Sequence, residues 1–376
     1  MPSSFLALVV SPAEDRILAA DLAGQPAGRY LLDSLADPEM ARQTIVLDRA
    51  GAPAFASTDI AGDVLVIDAR AWVSKRALAD AAAQAVREQR CVCLMNAGRM
   101  LAVWLPTGTE RPPSTDLAAL LESSGVAVAV AHAPEGDRRV QCLDSIAALA
   151  EAEQDVLLER ATDAMRRGVR IRDPRHVYLR GRLICGTDVE IDLGVVIEGT
   201  VTLGDGVRVG AHAILRDATI GDRTQIKPFS MVEEATIGAA SQVGPYARIR
   251  PGTVIGERVQ VGNYVELKSS RIGEGSRINH HTFIGDADLG ENTTIGAGTI
   301  TCNHDGVGVA HTIIERGAYI GSGCRLVAPV RIGQDATVGA GSTITRDVPP
   351  AKLTVARARQ VTIEKWRGPR TRRKTE

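Results

Sequence analysis

Aliphatic residues recur every six positions along more than a third of this chain, and few folds tolerate that spacing. The series runs Ile191, Ile197, Leu203, Val209, Leu215, then after a step of five Ile220, Ile226, Val232. Further short steps lead to Ile237, Val243, Ile249, Ile255, Val261, Leu267, to Ile272, Ile278, Ile284, and to Leu289, Ile295. After a break at Asn303–His311 it resumes at Ile314, Ile320, Leu326, Ile332, Val338 and Ile344. Glycine follows the aliphatic residue at many of these points, among them Gly204, Gly210, Gly221, Gly256, Gly262, Gly290, Gly296, Gly321 and Gly333. A repeat of six matches neither the helical period nor strict strand alternation. It matches short strands joined by tight corners, three strands to a coil, or about 18 residues per turn of a triangular prism. Each aliphatic side chain then points inward and stacks on its equivalent one coil away. Burial at roughly 25 cal/mol per Å² of apolar surface drives the assembly.

Aromatic residues are only 3% of the chain, so its core is aliphatic, and the 37 glycines suit many corners. A net charge of −1 supplies no global field that would draw nucleic acid or a membrane surface, and neither is expected as a partner. Cys91, Cys93, Cys142, Cys185, Cys302 and Cys324 are scattered, without a CxxC pair or His/Cys ligand spacing. They read as buried, reduced thiols of a cytoplasmic protein, with no metal site. No signal peptide opens the chain and no apolar run reaches membrane-spanning length.

Four regions are expected. Residues 1–143 hold strand-like runs at Phe5–Val10, Thr44–Leu47, Val64–Ile67, Val92–Met95 and Val126–Ala131, with a helical stretch at Val73–Gln89. They predict an α/β domain with a mostly parallel sheet. Residues 144–176 predict a helical arm and linker. Asp144 or Ser145 would cap the helix, Ile146, Leu149, Val156, Leu157, Ala161 and Met165 would form its apolar positions, and Gly168 would end it. Residues 177–352 carry the β-helix. Residues 353–376 form a basic tail with six Lys or Arg between Lys365 and Lys374. The tail is either a solvated end or a reach toward anionic groups of a cofactor.

Regular coils need no His, Lys or Arg and no excursions, so departures mark where chemistry can sit. Tyr246–Gly252 carries Arg248 and Arg250, and Gly262–Lys268 carries Glu266 and Lys268. Asn279, His280 and His281 follow within a coil, and Asn303-His304-Asp305-Gly306 opens the excursion. Arg250 and Lys268 are three hexads apart, hence on one prism face in neighbouring coils, where a basic pair can hold a carboxylate or phosphate. A histidine beside them can remove a proton from an attacking amine near neutral pH. A solenoid without chemistry and a purely structural His280 are the plainer alternatives.

These stretches carry a more specific resemblance. Arg172-Asp-Pro174, Leu179-Arg-Gly181, Asp188–Asp192, Gly244–Gly252, Val261–Lys268, Ile295–Asn303, Leu326–Val330 and Trp366-Arg367 resemble the C-terminal part of the GlmU family. That family comprises bifunctional glucosamine-1-phosphate acetyltransferases and N-acetylglucosamine-1-phosphate uridylyltransferases. The resemblance implies an all-β left-handed parallel β-helix of hexapeptide repeats. It implies acetyl-CoA as co-substrate, and a homotrimer whose active site forms between subunits. By position, His280 resembles the catalytic base and Glu266 the carboxylate near it. Arg250 and Lys268 match residues that hold the sugar phosphate. Ala297, Asn303, Ser322, Ala340 and Arg357 match acetyl-CoA contacts, and His304 stands where the family usually has Tyr. The implied reaction is direct transfer to the amine, with Cys302 a packing residue and not a nucleophile.

The acceptor side departs from that pattern. Phe283 replaces a Tyr, Thr294 an Asn and Val309 a Lys, His311 being the nearest basic residue. Charged hydrogen bonds contribute roughly 1.5–3 kcal/mol each, so the expectation is the same reaction on another small anionic amine, or a weakened original one. In the first domain, Leu22–Pro26 and Leu31–Leu35 resemble the early part of a sugar nucleotidyltransferase. Val9–Arg16, however, lacks the family's glycines, Val64–Arg70 offers only Asp68 as a metal ligand, and the metal-binding Asn is replaced around Cys142. The domain, also shorter than the family's, reads as degenerate. Mg²⁺ would be needed only if it were active. Retained uridylyl transfer and a non-catalytic trimeric scaffold are the competing expectations.

Overall fold

A computed structural model describes residues 145–366 and, before them, residues 5–11, 21–22, 25–26, 41–48, 64–68, 71–73, 75–88, 91–96, 99–105, 128–132 and 140–143. It contains two compact units, Met1–Leu183 with Asp192–Thr200, and Ile184–Ile191 with Val201–Glu376. Pro12–Arg16, Leu31–Leu35 and the tail from Arg367 lie outside the described residues.

The first unit holds a six-stranded sheet in the order Ala41–Asp48, Phe5–Ser11, Val64–Asp68, Arg99–Leu105, Cys91–Asn96, Val128–His132. Three of its pairings are parallel. Arg99–Leu105 runs antiparallel to both neighbours, so the sheet is mostly parallel with one inserted strand that the sequence analysis did not mark. Val64–Ile67, Cys91–Leu94 and Leu101–Leu105 are buried. Helix Lys75–Glu88 lies against Cys91–Asn96 with Ala77, Ala81 and Ala85 buried. That four-residue spacing makes a single stripe, and small side chains allow close approach. Burial, and secondarily Cys91, pushes the Cys93 thiol up to about 12.

The arm helix is Ile146–Arg166, capped by the Ser145 hydroxyl accepting from Ala148 N at 3.1 Å. It buries Leu149, Ala152, Val156, Leu157, Ala161 and Ala164. Ile146 and Met165 are exposed, unlike the expected stripe, because Ala152 and Ala164 carry its phase and Met165 lies a step around the helix from Ala164. The helix stops at Gly168 (φ 97°), with Gly168 N donating to Met165 O and Val169 N to Ala164 O, the paired bonds of a left-handed glycine stop. Among the described residues no helix is long and apolar enough to cross a membrane.

The second unit is the parallel β-helix. Three stacks of short strands make three faces. Gln225, Gln242, Gln260, Arg277 and Thr294 are aligned on the first. Arg248, Glu266, Phe283, Ile300 and Arg325 are aligned on the second, and Val254, Arg271, Asp288, Ile313 and Arg331 on the third. The hexad aliphatics from Leu203 to Ile344 are all buried. The five-residue steps all fall at one corner, between the second and third faces. There Asp217, Glu234, Ser269 and Asp286 take φ of 43 to 49°.

At the corner between the first and second faces, His212, Phe229, Tyr246, Tyr264 and His281 have φ of 58, 60, 57, 56 and 46°. Left-handed backbone costs a non-glycine residue roughly 1–2 kcal/mol. The five rings stack coil on coil, centroids 4.9 to 5.4 Å apart, and aromatic pairs return roughly 0.5–1.5 kcal/mol each. Coil contact also dictates glycine at places: a Cβ on Gly262 would lie 1.9 Å from Asn279 O.

Two outcomes follow. Gly262→Ala should lower unfolding stability by about 1–3 kcal/mol in chemical denaturation, whereas Gly308→Ala, whose Cβ would meet nothing within 4 Å, should change it little. Cys93 should resist alkylation at pH 8 in the folded chain and react once denatured; fast labelling of native Cys93 would contradict its burial.

Candidate active site on the second face and its corner

Stacking of coils turns sequence spacing into a surface. On the second face Arg248, Glu266, Phe283 and Ile300 form one outward row. In the next row Arg250 precedes Lys268 by one coil and Lys268 aligns with Gly285. Arg250 Nη1 donates to Glu266 Oε1 at 2.8 Å, both side chains 35% exposed. Lys268 is half-buried and makes no ion pair among the described residues. The two expected cations are therefore unequal: Arg250 is charge-compensated and Lys268 is not.

Phe283 lies over Gly285, where an added Cβ would come within 2.7 Å of the ring and 2.9 Å of Asn303 Nδ2. Asn303 Nδ2 donates to Asp286 Oδ2 at 2.5 Å. Phe283, Gly285 and Asn303 thus form one patch beside Lys268, and Gly285 is what allows the ring and the amide to share it. Sequence reasoning missed Gly285: it directly follows the hexad aliphatic Ile284 like many other glycines of the repeat, and only the register, which aligns it with Lys268, sets it apart.

His280 is exposed at the corner between the first and second faces. Its Nδ1 stands 2.8 Å from Asn263 Oδ1, its register partner one coil back. Glu266, expected near this histidine, is held by Arg250; Asn263, which the sequence did not single out, holds the ring.

The position of His280 continues through the next coils as Ala297, Ser322 and Ala340, since Gly298 N donates to His280 O, Gly323 N to Ala297 O and Gly341 N to Ser322 O. The neighbouring position, occupied by a ring in the five earlier coils, becomes Gly298, Gly323 and Gly341, with φ of 74, 70 and 74°. A Cβ on Gly323 would meet nothing within 4 Å. One on Gly298 would meet only Gly323 at 3.8 Å, and one on Gly341 only Arg357 Cδ at 3.9 Å. From His280 onward the edge is therefore bare backbone for roughly 14 Å, at about 4.8 Å per coil. Arg357 closes its far end, Nη1 donating to Ala340 O at 2.9 Å. Such a strip suits a long, narrow ligand with an anionic end.

The excursion is a small hairpin with a bridge between His304 and Val309. Asp305 Oδ1 accepts from Gly308 N at 2.8 Å and Val307 N at 2.9 Å, and these N–H groups hold its carboxyl below the usual range. Gly306 N donates to His304 Nδ1 at 2.9 Å, which puts the ring hydrogen on Nε2. His311 is engaged by Asp288 at 3.0 Å. Thr294 stands outward on the first face, so one chain does not bring it together with Arg250, Lys268 and Phe283. Among the described residues no three His, Cys, Asp or Glu side chains converge as a metal site.

Residues 179–265 match the family described as GMPPB C-terminal domain, and residues 311–346 the bacterial transferase hexapeptide of six repeats. The bifunctional protein GlmU of Ralstonia pickettii is 48% identical over 255 residues, 68% of this chain and 56% of that protein. That of Methylococcus capsulatus is 41% identical over 297 residues, 77% and 64% of the two chains. That of Azoarcus sp. is 41% identical over 355 residues, 93% of this chain and 76% of that one. The chain thus spans little more than half the length of several curated relatives that it matches. A parallel β-helix of hexapeptide coils, matched at this identity across 93% of the sequence, places the chain in the GlmU family.

Proposed function

We propose that the β-helix unit is an acetyl-CoA-dependent N-acetyltransferase acting on a small anionic amine, of which glucosamine 1-phosphate is the parent type. The carrying observation is the bare edge that begins at His280 and ends at Arg357, beside a face on which Lys268 makes no ion pair among the described residues. Ala297, Ser322 and Ala340 would line the acyl carrier, Arg357 would meet its phosphates, and Asn303 and His304 would flank it from the excursion. Acetyl-CoA supplies an acyl thioester. Lys268, with Arg250 beside it, holds the anionic group of the acceptor. His280 takes a proton from the amine as its nitrogen bonds to the acyl carbon, and gives that proton to the departing CoA sulfur. The C–S bond breaks as the C–N bond forms, so no acyl-enzyme is required. General-base assistance of this kind contributes roughly 10²–10⁴-fold.

The acceptor pocket departs from a phosphate cradle. Phe283 presents a ring edge without a hydroxyl, Val309 presents no ammonium, and Arg250 is shared with Glu266. An amine with a compact anion and an apolar flank fits this set better than a doubly charged phosphate. Thr294 would reach the acceptor only from another copy of the chain. The exposed Val361, Ile363 and Trp366 also suit a surface covered in a homotrimer. The four-region organisation, with boundaries at 143, 176 and 352, accommodates this division of labour. The glycine-free stretch after Phe5–Ser11, starting with Pro12, argues against phosphate cradling by the first unit, so uridylyl transfer is taken as lost.

Thiol release from acetyl-CoA against a panel of amines tests the reading. His280→Ala should lower kcat by roughly 10²–10⁴-fold with KM little changed. If no amine releases thiol, the acetyltransferase reading falls; an unchanged rate in the variant removes His280 from the mechanism. UTP, Mg²⁺ and a sugar 1-phosphate should yield no pyrophosphate. Asp305→Ala should raise the KM for acetyl-CoA several-fold and spare kcat, because the excursion loses its staple. Since the folded carboxyl pKa is lowered, the staple is complete above the ordinary carboxylate range and lost as pH falls through the lowered value. In the unsubstituted protein KM should therefore rise only on acidification; a rise on the alkaline side would point elsewhere.

A further inference from the structure

We infer that Asn263 is the positioning residue that selects the ring tautomer of His280, leaving Nε2 as the base. The inference rests on the reading of His280 as general base and specifies what makes it competent.

The corner position occupied by these two residues is otherwise small or cyclic: Ala211, Pro228 and Pro245 precede them, and Ala297, Ser322 and Ala340 follow. Only at Asn263 and His280 do two longer polar side chains follow one another, and coil register places one directly on the other. Asn263 Oδ1 lies 2.8 Å from His280 Nδ1. An amide oxygen can only accept, so the ring hydrogen must sit on Nδ1 and Nε2 keeps its lone pair. With the amide reversed, its NH₂ would donate to Nδ1, move the hydrogen to Nε2 and abolish the base. The amide thus orients the ring without adding charge beside the acceptor's own anion, a task a carboxylate would complicate.

The corner itself is fixed on the other side. His281 is held at φ 46° and stacks on Tyr264 at 4.9 Å, the last rung of the ring ladder. Asn263 precedes Tyr264 as His280 precedes His281, so the rung that stacks the rings also sets the two polar side chains at hydrogen-bond distance. Gly262, which cannot carry a Cβ against Asn279 O, lets these coils close up.

The test is ¹⁵N-resolved ring NMR of the full chain, with the His280 signals among the 7 histidines assigned by their loss in His280→Gln. In the unsubstituted protein, above the ring's titration, His280 should show the Nδ1–H pattern. Asn263→Ala should shift it toward Nε2–H and lower kcat on the order of tenfold or more at little cost in KM; Asn263→Asp, which still accepts, should restore Nδ1–H. An Nε2–H pattern in the unsubstituted protein, or no change in Asn263→Ala, overturns the inference. Should the tautomer respond as expected while His280→Ala keeps its full rate, Asn263 still sets the tautomer and the catalytic reading of His280 is what fails.

Discussion

Every feature of the second unit depends on one contact, an inward aliphatic side chain resting on its counterpart one coil away. That contact removes apolar surface from water and fixes the register of parallel pairing. Because side chains alternate in and out, a slip of one residue would turn the aliphatic row to solvent. Residues 17 or 18 positions apart, such as Arg277 and Gln260 or Arg248 and Glu266, consequently become neighbours about 4.8 Å apart. The ion pair of Arg250 with Glu266, the patch of Phe283 over Gly285 and the contact of Asn263 with His280 are all products of that register.

Corners carry the cost of this architecture and also its chemistry. A prism must turn at each corner through left-handed backbone, and this chain does so with different residues on its two halves. From His212 to His281 the corner residue is an aromatic or imidazole ring whose stacking offsets the strain. Beyond it, Gly298, Gly323 and Gly341 turn without strain and leave the edge uncovered. His280 stands at the changeover, adjoining a covered edge on one side, a bare one on the other, and the cationic face beside both. The same steric rule that makes glycine cheap in the left-handed region therefore also leaves open the edge proposed for the acyl carrier.

Much of the architecture is legible in the chain before any coordinates. The hexad names the core residues, and its short steps mark a single corner. Ser145 and Gly168 bound the arm helix, though the phase of its stripe, which runs through Ala152 and Ala164, depends on what packs against it. The sheet of the first unit is less legible. Arg99–Leu105 is an apolar run like its neighbours, and strand direction is decided by connection geometry, not composition. Of the candidate site, the alignment of Arg250 with Lys268 follows from counting hexads. The partners of Glu266 and His280 do not, because several side chains lie within reach on the same face and corner.

The sequence by itself determined the period, the identity of the buried rows, the position of the excursion and the residue types available for chemistry, since each depends on spacing along one chain. The tertiary structure alone decided that Arg250 spends its charge on Glu266 and that Asn263 meets His280 across a coil. It also decided that Thr294 faces away on another side of the prism and that three glycines line up into an open edge. Those outcomes depend on which side chain stands one coil above another and how each corner turns. These are three-dimensional neighbour relations that a linear pattern constrains but does not fix.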